Sequence, residues 1–334
     1  MHPKIDIVAA PTPLRVAGEL SRQLDIELYI KRDDLAGPSF GGNKSRQLEY
    51  YFGEAASQDA DTILITGAVQ SNFTRTAVAV ARSRGMRAIV QFEDRVKSES
   101  PRYRHSGNVL LSRLMGADIE FYPDGEDEAG ADAALDRKAE QLRASGRRPY
   151  TIHLSESHPP LGALGYVDAA FEILDQRDDF DVFVVASGSG ATHAGLLAGL
   201  RGAGSRARVV GSCVRRGADS QRPRIERVMK RLGHLYAPAT NVTADDIDVW
   251  DGALAPGYGR IGDMSLQAIR MMASCEGLFL DPVYTAKSFA AVPSLVSAGD
   301  IPKGSRVCFV HTGGLAAIYA YEDQISTMLD QAGG

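Results

Sequence analysis

Residues 182–192, with the sequence VFVVASGSGAT, decide the fold class of this chain. An unbroken apolar run comes first, and small residues follow it. A run without alternating polar residues predicts a strand that is buried on both faces, which is typical of parallel sheets covered by helices. Other short β-rich runs, several of them also continuously apolar, predict further strands at residues 62–66, 88–92, 118–122, 209–214 and 307–311.

Helical patterns separate these strands. They predict helices at residues 72–84, 107–115, 132–145 and 192–200. The alternation of strands and helices favours an α/β fold with mostly parallel sheets, and a length of 334 residues favours two domains. Residues 123–131 and 217–224 are polar and contain glycine, so we predict that both segments are irregular.

The composition argues against several classes of function. The net charge is −5 and the pI is about 5.8, so we expect no basic surface for nucleic acid. Cys213, Cys275 and Cys308 form no C-x-x-C pair, which leaves a zinc or redox site without support. The N-terminal sequence MHPKIDIVAAPTPL lacks the apolar core of a signal peptide, and no stretch is apolar enough to span a membrane. We therefore expect a cytoplasmic protein.

Residues 187–195 (SGSGATHAG) join a predicted strand to a predicted helix. Small residues leave backbone N–H groups free to converge on an anion at a helix N-terminus, and the Ser and Thr hydroxyls add donors. The segment lacks the Gly-Lys-Ser/Thr ending of a P-loop and does not match the dinucleotide-binding pattern. It predicts a phosphate-binding loop, with a simple tight turn as the alternative.

Residues 41–46 (GGNKSR) place Lys44 at the start of a helical run. The helix dipole disfavours a cation there, so the pKa of the amine should fall, as suits a lysine that reacts with carbonyl groups. The alternative is a solvated lysine beside a turn. Residues 67–75 (GAVQSNFTR) make another strand-to-helix turn, where Ser71 and Asn72 either bind a carboxylate or only cap the helix.

Taken in order, the motifs resemble those of the fold-type II pyridoxal-phosphate enzymes, the group that includes the tryptophan synthase β subunit. Within it, the chain is similar to the branch of 1-aminocyclopropane-1-carboxylate deaminase, D-cysteine desulfhydrase and L-cysteate sulfo-lyase. The resemblance covers nearly the whole chain, through residues 11–14 (PTPL), 31–34 (KRDD), 41–44 (GGNK), 106–109 (SGNV), 114–118 (LMGAD) and 311–314 (HTGG).

The resemblance implies two open, mostly parallel α/β domains, commonly in a homodimer. Residues 1–44 and 155–334 would form a large cofactor-binding domain, and residues 45–154 a small mobile domain. It also implies pyridoxal 5'-phosphate as the cofactor and a small amino acid as the substrate.

The resemblance further implies roles for single residues. Lys44 would bind the cofactor covalently and move protons at the substrate α-carbon. Tyr258 and Tyr284 would flank the substrate, and Ser71 with Asn72 would bind its carboxylate. The other cofactor contacts would be Asn72 to the ring hydroxyl oxygen, Thr312 to the ring nitrogen, and Ser189, Gly190, Ala191 and Thr192 to the phosphate.

Two positions depart from the branch in ways that concern the substrate. The deaminases have Glu after Asp-Pro-Val-Tyr, whereas this chain has Thr285, as the desulfhydrases do, which counts against opening a cyclopropane ring. After Ser-Asn the branch has His or Gln, whereas this chain has Phe73, which cannot transfer a proton. We predict that both residues contact the substrate. Arg215 and Arg216 follow a predicted strand, and they either hold an anionic substrate group or form a solvated surface pair.

We therefore predict a β-eliminating lyase that converts a small β-substituted amino acid, such as D-cysteine or L-cysteate, to pyruvate and ammonia. One alternative is a 1-aminocyclopropane-1-carboxylate deaminase, and another is an amino-acid racemase or dehydratase that uses the same lysine. A cofactor-binding or regulatory protein that has lost catalysis is the remaining alternative.

Overall fold

The computed structural model describes residues 2–98, 100–155 and 157–333. Residues 332 and 333 are described by their backbone only. The strands are β1 (Leu14–Val16), β2 (Glu27–Lys31), β3 (Thr62–Ala68), β4 (Arg87–Glu93), β5 (Asp118–Tyr122), β6 (Pro149–Ile152), β7 (Val182–Ser187), β8 (Arg208–Cys213), β9 (Asp248–Trp250) and β10 (Arg306–Val310). The helices are α1 (Gly18–Leu24), α2 (Asn43–Ser57), α3 (Asn72–Ser83), α4 (Pro101–His105), α5 (Gly107–Leu114), α6 (Glu128–Ala144), α7 (Leu164–Gln176), α8 (Ala191–Gly202), α9 (Ala218–Leu232), α10 (Asp263–Glu276), α11 (Thr285–Ser297) and α12 (Glu322–Gly333).

The described strands form two separate sheets. The larger has the order β1-β2-β10-β7-β8-β9, and within it only β1 runs antiparallel to its neighbour. The smaller has the order β5-β4-β3-β6 and is parallel throughout. The predicted α/β fold with mostly parallel sheets is therefore confirmed.

Burial on both faces explains the unbroken apolar sequence of β7. Phe183 and Val185 pack into a core formed with α7, α8 and α9. Val182 and Val184 pack on the opposite side, into a core formed with α1, α10 and α11. Both faces of the strand are thus removed from water, which favours apolar side chains on each of them.

The strands of the smaller sheet all lie between residues 62 and 152, which is within the predicted small domain. However, α2 packs against α7, which belongs with the larger sheet. The division into residues 1–44 plus 155–334 and residues 45–154 stays a prediction. Within the described chain, no helix has the length and apolar character needed to cross a membrane.

The predicted irregular segment 217–224 is almost entirely helical, and the end of the other, residues 123–131, is the first turn of a helix. Helix α6 begins at Glu128, because the Asp127 side chain caps it by accepting the N–H of Gly130 at 2.8 Å. Helix α9 begins at Ala218, and its first turns bury Gln221 and Arg224 on one face. Long polar side chains on the buried face hid the helical period from the sequence.

Candidate active site

A cavity lies between the two sheets, at the carboxyl ends of β3, β7 and β10. In an open parallel sheet, the turns that follow such strand ends converge on one place, and ligands bind there. Ten of the predicted site residues line this cavity, namely Lys44, Ser71, Asn72, Phe73, Ser189, Gly190, Thr192, Tyr258, Tyr284 and Thr312.

Lys44 lies in the first turn of α2. Its side chain is partly open to the cavity, yet protein surrounds the amine, and this desolvation lowers the pKa of Lys44 from 10.5 to about 8. Nζ lies 3.2 Å from Oε1 of Gln47 and 5.1 Å from the centre of the Phe73 ring. The alternative of a fully solvated lysine is therefore wrong.

A buried ionic network holds the start of α2 in place. Two nitrogens of Arg46 lie 2.9 Å from the two carboxylate oxygens of Asp33, and Arg46 also pairs with Glu172 of α7 at 2.8 Å. Tyr166 donates to Asp33 at 2.6 Å, and Lys31 pairs with Glu172 at 2.5 Å. The sequence segment KRDD thus anchors the helix that carries the reactive lysine.

The start of α8 has the features of a phosphate cradle. Gly190 has a φ of +100°, and no side chain caps the helix, so the first N–H groups of α8 have no intrahelical acceptor. A Cβ at Gly190 would meet Ile225 at 2.9 Å. The Thr192 hydroxyl oxygen accepts from Asn43 and from Gln47, each at 2.8 Å, so its own O–H is free to donate to an anion.

The start of α3 presents Ser71 and Asn72 to the cavity. The Ser71 oxygen accepts the N–H groups of Phe73 and Thr74, so it caps the helix as well as facing the cavity. Oδ1 of Asn72 accepts from Nδ2 of Asn108 at 2.9 Å, which leaves the Asn72 amide N–H groups to donate. These donors suit a carboxylate or a ring oxygen.

A tyrosine pair forms one side of the cavity. The hydroxyl oxygens of Tyr258 and Tyr284 lie 2.6 Å apart, and burial together with Tyr258 raises the pKa of Tyr284 well above 10. Three backbone N–H groups that follow Asp281 donate to its carboxylate, among them that of Tyr284 at 3.0 Å. This turn fixes the position of Tyr284.

Two predicted site residues do not line the cavity. Thr285 is fully buried, and its hydroxyl donates to Asp281 at 2.8 Å, so this geometry gives no support to the predicted direct contact between Thr285 and the substrate. Ala191 lines a neighbouring recess beyond Lys44. Its contribution to a phosphate site is therefore limited to its backbone N–H at the first position of α8.

Charged residues that the sequence did not single out also line the cavity, namely Arg95, Glu128 and Arg224. Arg215 joins them with its side chain only 9 % exposed, and it pairs with Glu128 at 2.6 Å. Its interpretation as part of a solvated surface pair is therefore wrong. The available signal was placement just after the end of a strand, which holds for Arg215 after β8 and equally for Arg95 after β4.

The chemistry of the residues that line the cavity fits pyridoxal phosphate. A reactive lysine with a lowered pKa lies in the same cavity as an uncapped helix start that excludes side chains at Gly190. Thr312, which follows β10, presents a neutral hydroxyl to the cavity.

Comparisons with known proteins agree with this fit. The family model described as pyridoxal-phosphate dependent enzyme matches residues 5–313. D-cysteine desulfhydrases of Salmonella paratyphi C and Salmonella newport are 38 % and 37 % identical to the chain over 97 % of it and 97 % of their own length.

Solved structures give the same result. An ACC deaminase homologue has a TM-score of 0.86 and 34 % identity, over 98 % of this chain and 96 % of its own. O-ureido-L-serine synthase shares the fold at a TM-score of 0.65 and 17 % identity, over 96 % of each chain. The chain therefore belongs to the pyridoxal-phosphate dependent enzymes of fold type II, in the family of the D-cysteine desulfhydrases and ACC deaminases, and its cofactor is pyridoxal phosphate.

Proposed function

We propose that the chain is a β-eliminating lyase that acts on a small β-substituted amino acid, such as D-cysteine or L-cysteate, and releases pyruvate and ammonia. The observation that carries the proposal is the placement of the Lys44 amine, with its pKa lowered to about 8, in one cavity with the Tyr258–Tyr284 pair. The similarity to D-cysteine desulfhydrases supports it.

The bound cofactor supplies an electron sink that acidifies the C–H bond at the substrate α-carbon. Lys44 holds the cofactor and then accepts the α-proton, for which a pKa near neutrality is suitable. Tyr284, with its pKa raised, keeps its proton and donates it to the leaving group, while Tyr258 orients it through their 2.6 Å contact.

The remaining roles concern binding. Ser189, Gly190, Ala191 and Thr192 would hold the phosphate at the start of α8, because the first N–H groups of that helix lack intrahelical acceptors and the Thr192 O–H is free to donate. The other contacts are Asn72 to the ring oxygen, Thr312 to the ring nitrogen, and Ser71 with Asn72 to the substrate carboxylate.

We further propose that residues 45–154 form a small mobile domain that closes over the substrate. Closure would exclude water while the reactive product of elimination is still bound. The homodimer and the cytoplasmic location stay predictions.

The test is a substrate panel with purified holoenzyme. It contains D- and L-cysteine, L-cysteate, both enantiomers of β-chloroalanine, D- and L-serine, and 1-aminocyclopropane-1-carboxylate, with release of 2-oxo acid and ammonia as the readout. We expect pyruvate from β-substituted alanines. Release of 2-oxobutanoate from the cyclopropane alone, or racemisation without 2-oxo acid, would refute the proposal. Cofactor absorbance without any product would favour a binding protein.

A second lysine provides a matched control for the cofactor link. Burial also lowers the pKa of Lys287 to about 8, but Lys287 donates to the carbonyl oxygens of Leu254 and Gly257 at 2.6 and 2.7 Å and does not line the cavity. Lys44→Ala should abolish the absorbance of the lysine-bound cofactor, whereas Lys287→Met should retain it. If Lys44→Ala retained this absorbance and Lys287→Met lost it, Lys287 and not Lys44 would be the lysine that binds the cofactor.

A further inference from the structure

The cavity has a charged wall that the chemistry above does not use. We define this charged wall as Arg95, Glu128, Arg215 and Arg224, all of which line the cavity. Glu93 neutralises Arg95 at 2.7 Å. A single oxygen of Glu128 lies 2.6 Å from Arg215 and 2.8 Å from Arg216, which stands behind the wall. Two guanidinium groups therefore share one carboxylate oxygen.

Arg215 and Arg216 keep unused donors despite this contact. Nε of Arg215 and Nη1 of Arg216 are buried and have no hydrogen-bond acceptor in the part of the chain that the structure describes. A second carboxylate, Glu126, lies 3.4 Å from Arg215 but is 81 % exposed, so water screens most of its charge. Burial and repulsion by neighbouring arginines lower the pKa of Arg216. Among the residues that the structure describes, the carboxylates beside Arg215 and Arg216 therefore leave some of their donors unused.

The phosphate of the cofactor does not explain the position of Arg215. The phosphate cradle lies beside Arg224, whose Nε donates to the Ser189 carbonyl oxygen at 2.9 Å. Arg215 lies instead against Tyr258, with its guanidinium carbon 5.9 Å from the ring centre. Tyr258 contacts Tyr284, which we place beside the leaving group. Arg215 is therefore on the side of the cavity where the substrate β substituent is expected.

We propose that Arg215, supported by Arg216, is a specificity-determining subsite for an anionic oxyacid group on the substrate β-carbon, such as a sulfonate. Glu128 is the resident counter-ion of this subsite and competes with the substrate for it. A planar guanidinium matches two oxygens of such a group, which a thiol cannot offer.

This inference rests on the proposed β-elimination. For a sulfonate, the α-proton passes to Lys44, the Cβ–S bond breaks, and sulfur leaves with the bonding electron pair as sulfite. Water then converts the remaining three-carbon enamine to pyruvate and ammonia, so that cysteate and one water give pyruvate, ammonia and sulfite. No oxidant or reductant is required.

The test is the ratio of kcat/KM for cysteate to kcat/KM for β-chloroalanine, with the enantiomer of each that the holoenzyme prefers. Arg215→Gln should lower this ratio about 10- to 100-fold, the range for a lost hydrogen bond to a charged group. Arg215→Lys should have an intermediate effect because it keeps the charge but not the planar fork. Glu128→Gln should raise the ratio, by about threefold or more, because it removes the competing anion.

A lower ratio in Arg215→Gln together with a higher ratio in Glu128→Gln would show an effect on recognition of the sulfonate, because damage to the structure would not raise the ratio. Arg208 is the matched control, since it lies on the same strand β8 and pairs with Asp248 at 2.5 Å, away from the cavity. Arg208→Gln should leave the ratio as it is. Two results would overturn the subsite and leave the proposed lyase intact. One is an equal loss of kcat/KM for both substrates in Arg215→Gln. The other is a native enzyme that turns over β-chloroalanine but not cysteate.

A binding measurement applies even where turnover is absent. Cofactor absorbance gives the affinity of the holoenzyme for cysteate and for alanine, which differ only in the sulfonate. We expect tighter binding of cysteate, and a loss of that difference in Arg215→Gln. Equal affinities in the native protein would overturn the subsite. If the holoenzyme turned over no substrate of the panel but still bound cysteate more tightly than alanine, the proposed lyase activity would be refuted and the subsite would stand.

Discussion

Asp33 and Asp34 are adjacent carboxylates with different environments, and the difference predicts how strongly each stabilises the protein. Asp33 is fully buried and pairs with Arg46 through two contacts of 2.9 Å. Asp34 pairs with Arg32 through two similar contacts of 2.8 and 2.7 Å, but both side chains are about one-sixth exposed. The geometry of the two ion pairs is nearly the same, so the two carboxylates differ in burial and in the hydrogen bonds that Asp33 also accepts from Thr12 and Tyr166.

Asp33→Asn should reduce the free energy of unfolding by about 3–5 kcal/mol, the range for removing one partner of a buried ion pair. The Asn amide would direct N–H groups at Arg46, and the Tyr166 hydroxyl would lose a charged acceptor. Asp34→Asn should cost about 0–1 kcal/mol, because water replaces much of what a partly exposed pair provides. Asp33→Asn should also weaken cofactor attachment, since Arg46 lies two residues after Lys44 in α2.

Urea unfolding of the holoenzymes at saturating cofactor, followed by circular dichroism, measures both losses. The pH dependence gives an independent check. Burial alone would raise the pKa of Asp33, but attraction by Arg46 and its hydrogen bonds outweigh burial, so the pKa lies below 3.8. The contribution of Asp33 is therefore complete above pH 3.8 and is lost as the pH falls through the lower pKa of the folded protein. Similar losses for Asp33→Asn and Asp34→Asn would refute the argument from burial.

Three further predictions concern the active site. Attachment of pyridoxal phosphate to cofactor-free protein needs a neutral Lys44 amine, so its rate should rise with pH, reach half its maximum near pH 8, where the pKa lies, and level off above it; a half-maximum near the ordinary lysine pKa of 10.5 would contradict this. Gly190→Ala should weaken cofactor affinity at least about tenfold in a spectroscopic titration, because the left-handed backbone costs about 1–3 kcal/mol and the new Cβ would lie 2.9 Å from Ile225. Thr285→Glu should lower the free energy of unfolding by about 3 kcal/mol or more and give no 2-oxobutanoate, since it places a second carboxylate beside buried Asp281. A stable Thr285→Glu protein that opens the cyclopropane ring would contradict the last expectation.

The sequence predicted the strands that carry runs of apolar or β-branched residues. Residues 62–66 and 182–186 have such runs, and the structure has strands there as β3 and β7. Strands β1, β2, β6 and β9 were not predicted. Each has five residues or fewer, and β2 buries the charged Lys31, which no apolar pattern would indicate. Lys31 is stabilised there by Glu172, which is 141 residues away in the sequence.

Local sequence by itself determined the fold class and the chemistry at the strand ends. A glycine turn after a buried strand leaves free N–H groups at the next helix, and this depends only on neighbouring residues, as at Gly190. The charged wall was decided by the tertiary structure alone. Glu128 and Arg215 are 87 residues apart, and Thr285 turned inwards to Asp281 instead of the cavity. The reason is physical: long-range pairing and burial depend on which surfaces meet after folding, and no local pattern contains that information.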